Sequence, residues 1–152
     1  MKYLLLSVLV TVLLQCQPTT PPAAPTTITT EEATTNPDKA AIEAVINNYF
    51  DGWLTGDTTL VGSAMHSSCH LKFARDGQIL KRNRTEYLSN FQPRPRLPNA
   101  EGRILSIDIV LTAAAAKVEL ETETRLFTDY FNLLKEGDRW YITDKVSTNL
   151  TK

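Results

Sequence analysis

Three groups of side chains in this sequence have the chemistry to bind or to react. Asp129 alternates with Phe127, Phe131 and Leu133 in an aromatic-rich run near the C-terminus. On a strand those four residues share one face. A carboxylate held among rings is desolvated, which suits it to proton transfer. It is equally the kind of acid that Lys145 or Arg125 could hold as a structural ion pair. His66, Cys69 and His70 form the second group, two imidazoles four residues apart with a thiol between them. On a helix that spacing could ligate zinc, but the segment reads as a loop entering a strand. Cys69 and His70 then point to opposite faces and no third ligand is evident, so no metal site is expected. His66 alone is the second candidate for proton transfer or ligand contact, or a histidine satisfying loop carbonyls. The third group is Tyr49, Trp53 and Phe73, rings that could wall a pocket for a planar ligand or simply be core. Tyr130 and Lys145 are expected on the face opposite Asp129, a ring beside a long cationic stem.

Other chemistries lack their signatures. There is no Ser/His/Asp order, no glycine-rich phosphate loop and no paired zinc motif, so no cofactor is expected. A formal net charge of −1 over 152 residues argues against nucleic acid as a partner.

The elements that must position these groups lie in residues 37–150. Asn36-Pro37-Asp38 marks a helix start, with a capping amide, a proline in the first turn and an acid at the positive dipole end. Ile42, Val45, Ile46, Tyr49, Phe50, Trp53 and Leu54 then recur at helical spacing and cover about half the circumference. A stripe that wide suits a helix gripped by a concave sheet. Gly56 ends it, and Asp57 caps a short second helix through Leu60, Val61 and Met65. A strand from Cys69 to Ala74 turns at Asp76-Gly77 into Gln78-Ile79-Leu80. Asn83-Arg84-Thr85-Glu86 is a capping box for a short third helix carrying Tyr87, Leu88 and Phe91. Pro93, Pro95 and Pro98 impose a loop.

The rest reads as sheet. Leu105, Ile107, Ile109 and Leu111 alternate as one buried row, and Ala113 to Ala116 read as a turn. Ala116, Val118 and Leu120 alternate with Lys117, Glu119, Glu121 and Glu123, a solvated outer row. A two-residue loop closes the last hairpin, at Gly137-Asp138 or at Glu136-Gly137. The first pairs Leu133 with Ile142, Phe131 with Asp144 and Tyr130 with Lys145; the second shifts the partners but keeps each residue on its face. One face then carries Phe127, Asp129, Phe131, Leu133, Trp140, Ile142 and Val146; the other carries Tyr130, Asn132, Leu134, Tyr141, Thr143 and Lys145. Both are partly apolar, as expected if one packs on the helices and the other meets a second subunit.

The N-terminus reads as a sorting signal. Lys2 precedes an apolar run from Tyr3 to Leu14, too short for the ~20 residues of a spanning helix. Leu13-Leu14-Gln15-Cys16 resembles a bacterial lipobox, with Gln15 where that pattern has a small residue. The expectation is a signal peptide over 1–15, a lipidated Cys16 and a Pro/Thr-rich tether over 16–36. Ordinary secretion is the alternative. With Cys16 acylated, Cys69 has no partner for an intramolecular disulfide.

The order helix, short helix, hairpin, helix and long antiparallel strands is an α+β cone. Its residues resemble the nuclear transport factor 2-like superfamily, and within it the putative lumazine-binding family. The matching stations are Ile46, Tyr49, Gly52, Asp57 and Met65-His66. Asp129-Tyr130, Leu133-Leu134-Lys135, Gly137, Trp140, Ile142 and Lys145 complete the match, so the resemblance covers about residues 37–148. It implies a cone-shaped, curved antiparallel sheet wrapped around a long N-terminal helix with two shorter helices. It also implies a pocket at the open end and homodimers joined through the sheet. The expected function is non-catalytic binding of a small ligand or a partner protein by an envelope lipoprotein. Tyr49, Trp53, His66 and Phe73 would form the wall, and Asp129 the polar anchor. A small lyase or isomerase using Asp129 or His66 is the rival, and a dimer module with a filled cone is the third reading.

Overall fold

A computed structural model describes residues 36–152 of the chain. The expected signal peptide, the expected lipidation site Cys16 and nearly all of the expected Pro/Thr tether lie outside the described residues. The first helix, α1 (Pro37–Thr55), starts where the sequence indicates: the Asn36 side chain accepts from the Asp38 amide, and Pro37 occupies the first turn. Gly56 ends it in the left-handed region at φ 69, where a side chain would also collide with the Gln92 carbonyl. Asp57 then caps α2 (Thr58–Ala64) by accepting from the amides of Thr59 and Leu60. α2 is one residue shorter than the apolar pattern suggested, because Met65 is already extended and opens β1 (Met65–Arg75). Asp76 and Gly77, at φ 51 and 73, make the turn into β2 (Gln78–Asn83). Asn83 and Glu86 close the capping box of α3 (Arg84–Leu88).

After the proline loop come β3 (Glu101–Val110), β4 (Ala113–Glu121), β5 (Arg125–Glu136) and β6 (Arg139–Thr151). The strands form a six-stranded sheet in the order β2-β1-β6-β5-β4-β3. Every junction is antiparallel except the second in that order, where β1 runs parallel to β6. The sheet is therefore mixed rather than wholly antiparallel. Its inner face wraps α1, which touches both β3 at one edge and β6 near the middle. Ile42, Val45, Ile46, Tyr49, Phe50 and Leu54 of α1 are buried there against Val118, Leu120, Phe131, Leu133 and Ile142. Helix and sheet approach closely at Gly102, where an added Cβ would overlap the Phe50 ring. The opposite end of α1 is latched polar-to-polar. Asp38 Oδ1 accepts from the Trp140 indole at 2.9 Å and from Lys135 at 2.7 Å, and these donors hold its carboxyl below the usual range.

Three expectations about the strands are corrected. Ala113 to Ala116 form no turn but the start of β4, with Ala114 and Ala116 buried; the turn is Leu111-Thr112. Pairing with β3 on one side and β5 on the other overrides the helical preference of alanine. In β3 the register shifts between Ile104 and Ser106, making Leu105 the extra residue. Ile104 takes the inward place, and Leu105 and Leu111 are exposed.

The third correction is the most consequential. Leu133 pairs with Ile142 as expected, but the register then shifts: Asn132 pairs with Asp144, Phe131 with Lys145 and Tyr130 with Val146. Thr143 is the extra residue, and its hydroxyl donates to the Asn132 carbonyl. A one-residue bulge moves every later side chain to the other face. Lys145 therefore turns inward beside Phe131, and Val146 turns out to solvent. The expected pairing of Lys145 with Tyr130 does not form; the cation over the Tyr130 ring is Lys117.

Candidate functional site

A cavity of about 260 Å³ lies between helices and strands, near the C-terminal end of α1 where Trp53 sits. Trp53 from α1 and Tyr87 from α3 reach it from the helical side. β1 and β2 supply Leu71, Phe73, Arg75 and Arg82. β5 and β6 supply Arg125, Phe127, Lys145 and Ser147. These strand residues share the inner face for a geometric reason. Phe73 and Arg75 are two apart, as are Arg125 and Phe127, and Arg82 lies opposite Leu71 in the β1–β2 pairing. The Trp53 and Phe127 rings meet edge to face at 5.4 Å. Neither Trp53 nor Phe73 fills the space, and both stay partly exposed at its walls.

Behind the floor is a buried polar cluster. Asp129 and Lys145 are 2% and 3% exposed and form an ion pair through Oδ2 and Nζ. The Ser147 hydroxyl donates to Asp129 Oδ1 at 2.6 Å, and Lys145 Nζ lies 3.4 Å from that hydroxyl. Both carboxylate oxygens are thus occupied. The ammonium also lies over two rings, 5.5 Å from the centre of Tyr49 and 5.7 Å from that of Phe131. Burial pushes the Lys145 pKa down, and the charge of Asp129 opposes that fall. Tyr49 and Tyr87 share a 2.6 Å hydroxyl–hydroxyl hydrogen bond, and burial is the main cause raising both phenol pKa values. Cys69 also faces the core, and desolvation pushes its thiol up to about 12.

The residues singled out from sequence are therefore divided. Trp53 and Phe73 line the cavity. Asp129 stands one layer behind it, reaching it through Lys145 and Ser147. Tyr49 is 1% exposed and lies beneath, reaching the cavity through Tyr87. His66 is on the other face of the sheet, edge-on to Tyr141 at 5.7 Å, in a separate hollow with Leu134 and Thr143. Its Nδ1 bonds to the Ser68 hydroxyl at 2.7 Å, and its Nε2 lies 3.7 Å from Glu136. His66 and Asp129 do not converge on one position. Among the described residues, no group of three or more His, Cys, Asp or Glu is arranged to hold a metal ion.

Tyr87, Arg75, Arg82, Arg125 and Ser147 were not anticipated as cavity residues. Period two from Phe73 and Phe127 does point to Arg75 and Arg125, and the Asp76-Gly77 hairpin places Arg82 across from Leu71. Ser147 had no such signal, because its face depends on the bulge at Thr143.

The chain resembles several solved structures. A nuclear transport factor 2-like protein of unknown function from Shewanella baltica OS155 is 27% identical, with a TM-score of 0.71, covering 80% of this chain and 100% of that one. A similar protein of unknown function from Silicibacter pomeroyi DSS-3 is 19% identical, with a TM-score of 0.68 over 78% of this chain and 99% of its own. A domain of unknown function with a cystatin-like fold from Nostoc punctiforme PCC 73102 is 21% identical, with a TM-score of 0.58 over 76% and 78%. No functionally curated protein matches the chain. The model of the family described as putative lumazine-binding matches residues 37–147, from the first residue of α1 to the Ser147 that holds Asp129. With its α+β cone and its mixed sheet around α1, the chain belongs to that family, within the nuclear transport factor 2-like fold.

Proposed function

We propose that this domain binds a small ring-bearing ligand in the cavity beside Trp53, Phe73 and Phe127, without turning it over. The observation that carries the reading is an aromatic-walled cavity whose floor is polar but already satisfied. Asp129 spends both oxygens on Lys145 and Ser147, so the cavity has no uncommitted carboxylate base. Asp129 then serves as an anchor that positions Lys145 and Ser147 rather than as a ligand contact. Family membership supports a small-molecule role in the same coarse sense. The test is a thermal-shift screen of ring compounds on the wild-type chain and on Trp53→Leu, with each hit incubated and analysed for chemical change. Hits that stabilise the wild type, fail on Trp53→Leu and are recovered unchanged support binding. A hit that is converted replaces this reading with proton transfer, and a screen in which no compound depends on Trp53 rejects it.

The setting of the domain belongs to the same proposal. The apolar run before Cys16, with Leu13 three residues ahead of it, supports a lipid-anchored envelope protein. Cys16→Ser should move the protein from the membrane fraction to the soluble fraction; unchanged membrane association rejects lipidation. Tyr130, Leu134 and Val146 are about half exposed on the outer face of the sheet, which supports a homodimer through that face. Sedimentation should show a dimer that Leu134→Glu dissociates, and a monomeric wild type rejects it.

A further inference from the structure

Charge in the cavity departs from the balance of the chain. The full sequence is near neutral at −1, yet the cavity lining carries Arg75, Arg82, Arg125 and Lys145 and no carboxylate. Lys145 is accounted for by Asp129 and Ser147. The three arginines are not: among the described residues, none makes a side-chain hydrogen bond or an ion pair. Two of them lie over a ring. The guanidinium carbons of Arg75 and Arg82 lie 5.4 and 5.3 Å from the centre of Phe73, so two cations from neighbouring strands crowd one side chain. Like charges converge there without a counter-ion on the protein, which is unfavourable unless water or an anion compensates.

Their depth is graded. Arg75 and Arg125 are exposed at the rim, Arg82 is half-buried, and Trp53, Tyr87 and Phe127 lie on the helical side. A volume of about 260 Å³ is below the ~300–1,000 Å³ of pockets for drug-sized ligands, so the occupant is small. We propose that the ligand is a small organic anion: a carboxylate or phosphate gripped by Arg75, Arg82 and Arg125, on a flat single-ring body stacked among Trp53, Tyr87 and Phe127. Guanidinium groups suit this role because their planar forks pair with such oxygens two bonds at a time and stay charged at any working pH. The inference rests on the cavity-binding reading above and adds the charge and shape of what binds.

The test is calorimetric titration of the full chain with three probes: benzoate, its neutral isostere benzamide, and inorganic phosphate. Benzoate should bind about tenfold or more tighter than benzamide, as charge-assisted hydrogen bonds outweigh neutral ones. Its affinity should also fall with added salt. Arg82→Gln combined with Arg125→Gln should remove that preference by weakening benzoate far more than benzamide, whereas Trp53→Leu should weaken both ring probes. Both arginines have exposed or half-exposed side chains, so the double variant is expected to fold, and its melting temperature checks this. Equal binding of benzoate and benzamide would overturn the anionic ligand while leaving the cavity-binding reading intact. Phosphate binding as tightly as benzoate would overturn the ring-bearing body. No binding by any of the three overturns this proposal, and the wider screen then decides the cavity-binding reading separately.

Discussion

Removing the Asp129 carboxylate should expose how the buried pair is balanced. Asp129→Asn keeps the shape and an acceptor for Ser147, but leaves Lys145 without its counter-charge in a site where the lysine is 3% exposed. An unpaired buried ammonium costs several kcal/mol, so the folded state instead releases the proton. Deprotonating a lysine at pH 7 from an ordinary pKa near 10.4 costs about 1.36 kcal/mol for each of roughly 3.4 units, or ~4.6 kcal/mol. That bound agrees with the ~3–5 kcal/mol seen when one member of a buried pair is removed. The expected loss is therefore about 3–5 kcal/mol, a large part of the ~5–15 kcal/mol typical of a domain. The proton count fixes the pH dependence. In the variant, folded Lys145 is neutral while the unfolded lysine is charged, so the unfolded state binds one more proton and stability rises with pH. The loss should shrink between pH 7 and 9 by up to about 1.4 kcal/mol per unit. Asp129→Leu combined with Lys145→Met should recover most of the stability, since apolar groups of similar size often replace such pairs at little cost. Urea unfolding followed through Trp53 and Trp140 fluorescence measures all three proteins. A loss below about 1 kcal/mol for Asp129→Asn, or a loss that stays flat with pH, would refute the reasoning.

Two further predictions concern the core. The Cys69 pKa is raised from its ordinary value near 9 to about 12, so its contribution is whole below pH 9 and is lost as pH rises toward 12. The stability difference between wild type and Cys69→Ala should therefore fall by about 1.4 kcal/mol per pH unit across that window, and a constant difference would refute the burial argument. Tyr49 and Tyr87 add losses of the same sign above pH 10, while Lys145 acts in the opposite sense, which is why the difference between variants is the useful quantity. Gly102→Ala pushes a methyl group into the Phe50 ring and should destabilise by about 1–3 kcal/mol; Phe50→Leu in the same background should relieve part of that loss. Thermal unfolding that is unchanged by Gly102→Ala would mean the helix and β3 are not in that close contact.

Much of the fold was legible because its boundaries are written locally. Asn36-Pro37, Gly56, Asp57, the Asp76-Gly77 turn and the Asn83–Glu86 capping box each satisfy backbone groups within a few residues of themselves. Element type and order follow from those signals and from apolar period. Less of the site could be read. Trp53 and Phe73 were expected at a pocket wall and Asp129 as an acid that Lys145 could hold, but the expected register put Lys145 on the wrong face, Ser147 was not singled out and the cluster of arginines was missed.

The amino-acid sequence by itself determined the cone: which segments are helices or strands, where they turn, and which residues are apolar enough to fill it. Only the tertiary structure decided the face on which Lys145 and Ser147 lie, that His66 is turned away from Asp129, and that three strands bring Arg75, Arg82 and Arg125 to one cavity. The physical reason is the period of a strand. One extra residue at Thr143 reverses the facing of everything after it, and nothing in the local sequence marks a bulge set by pairing with strands far away in the chain.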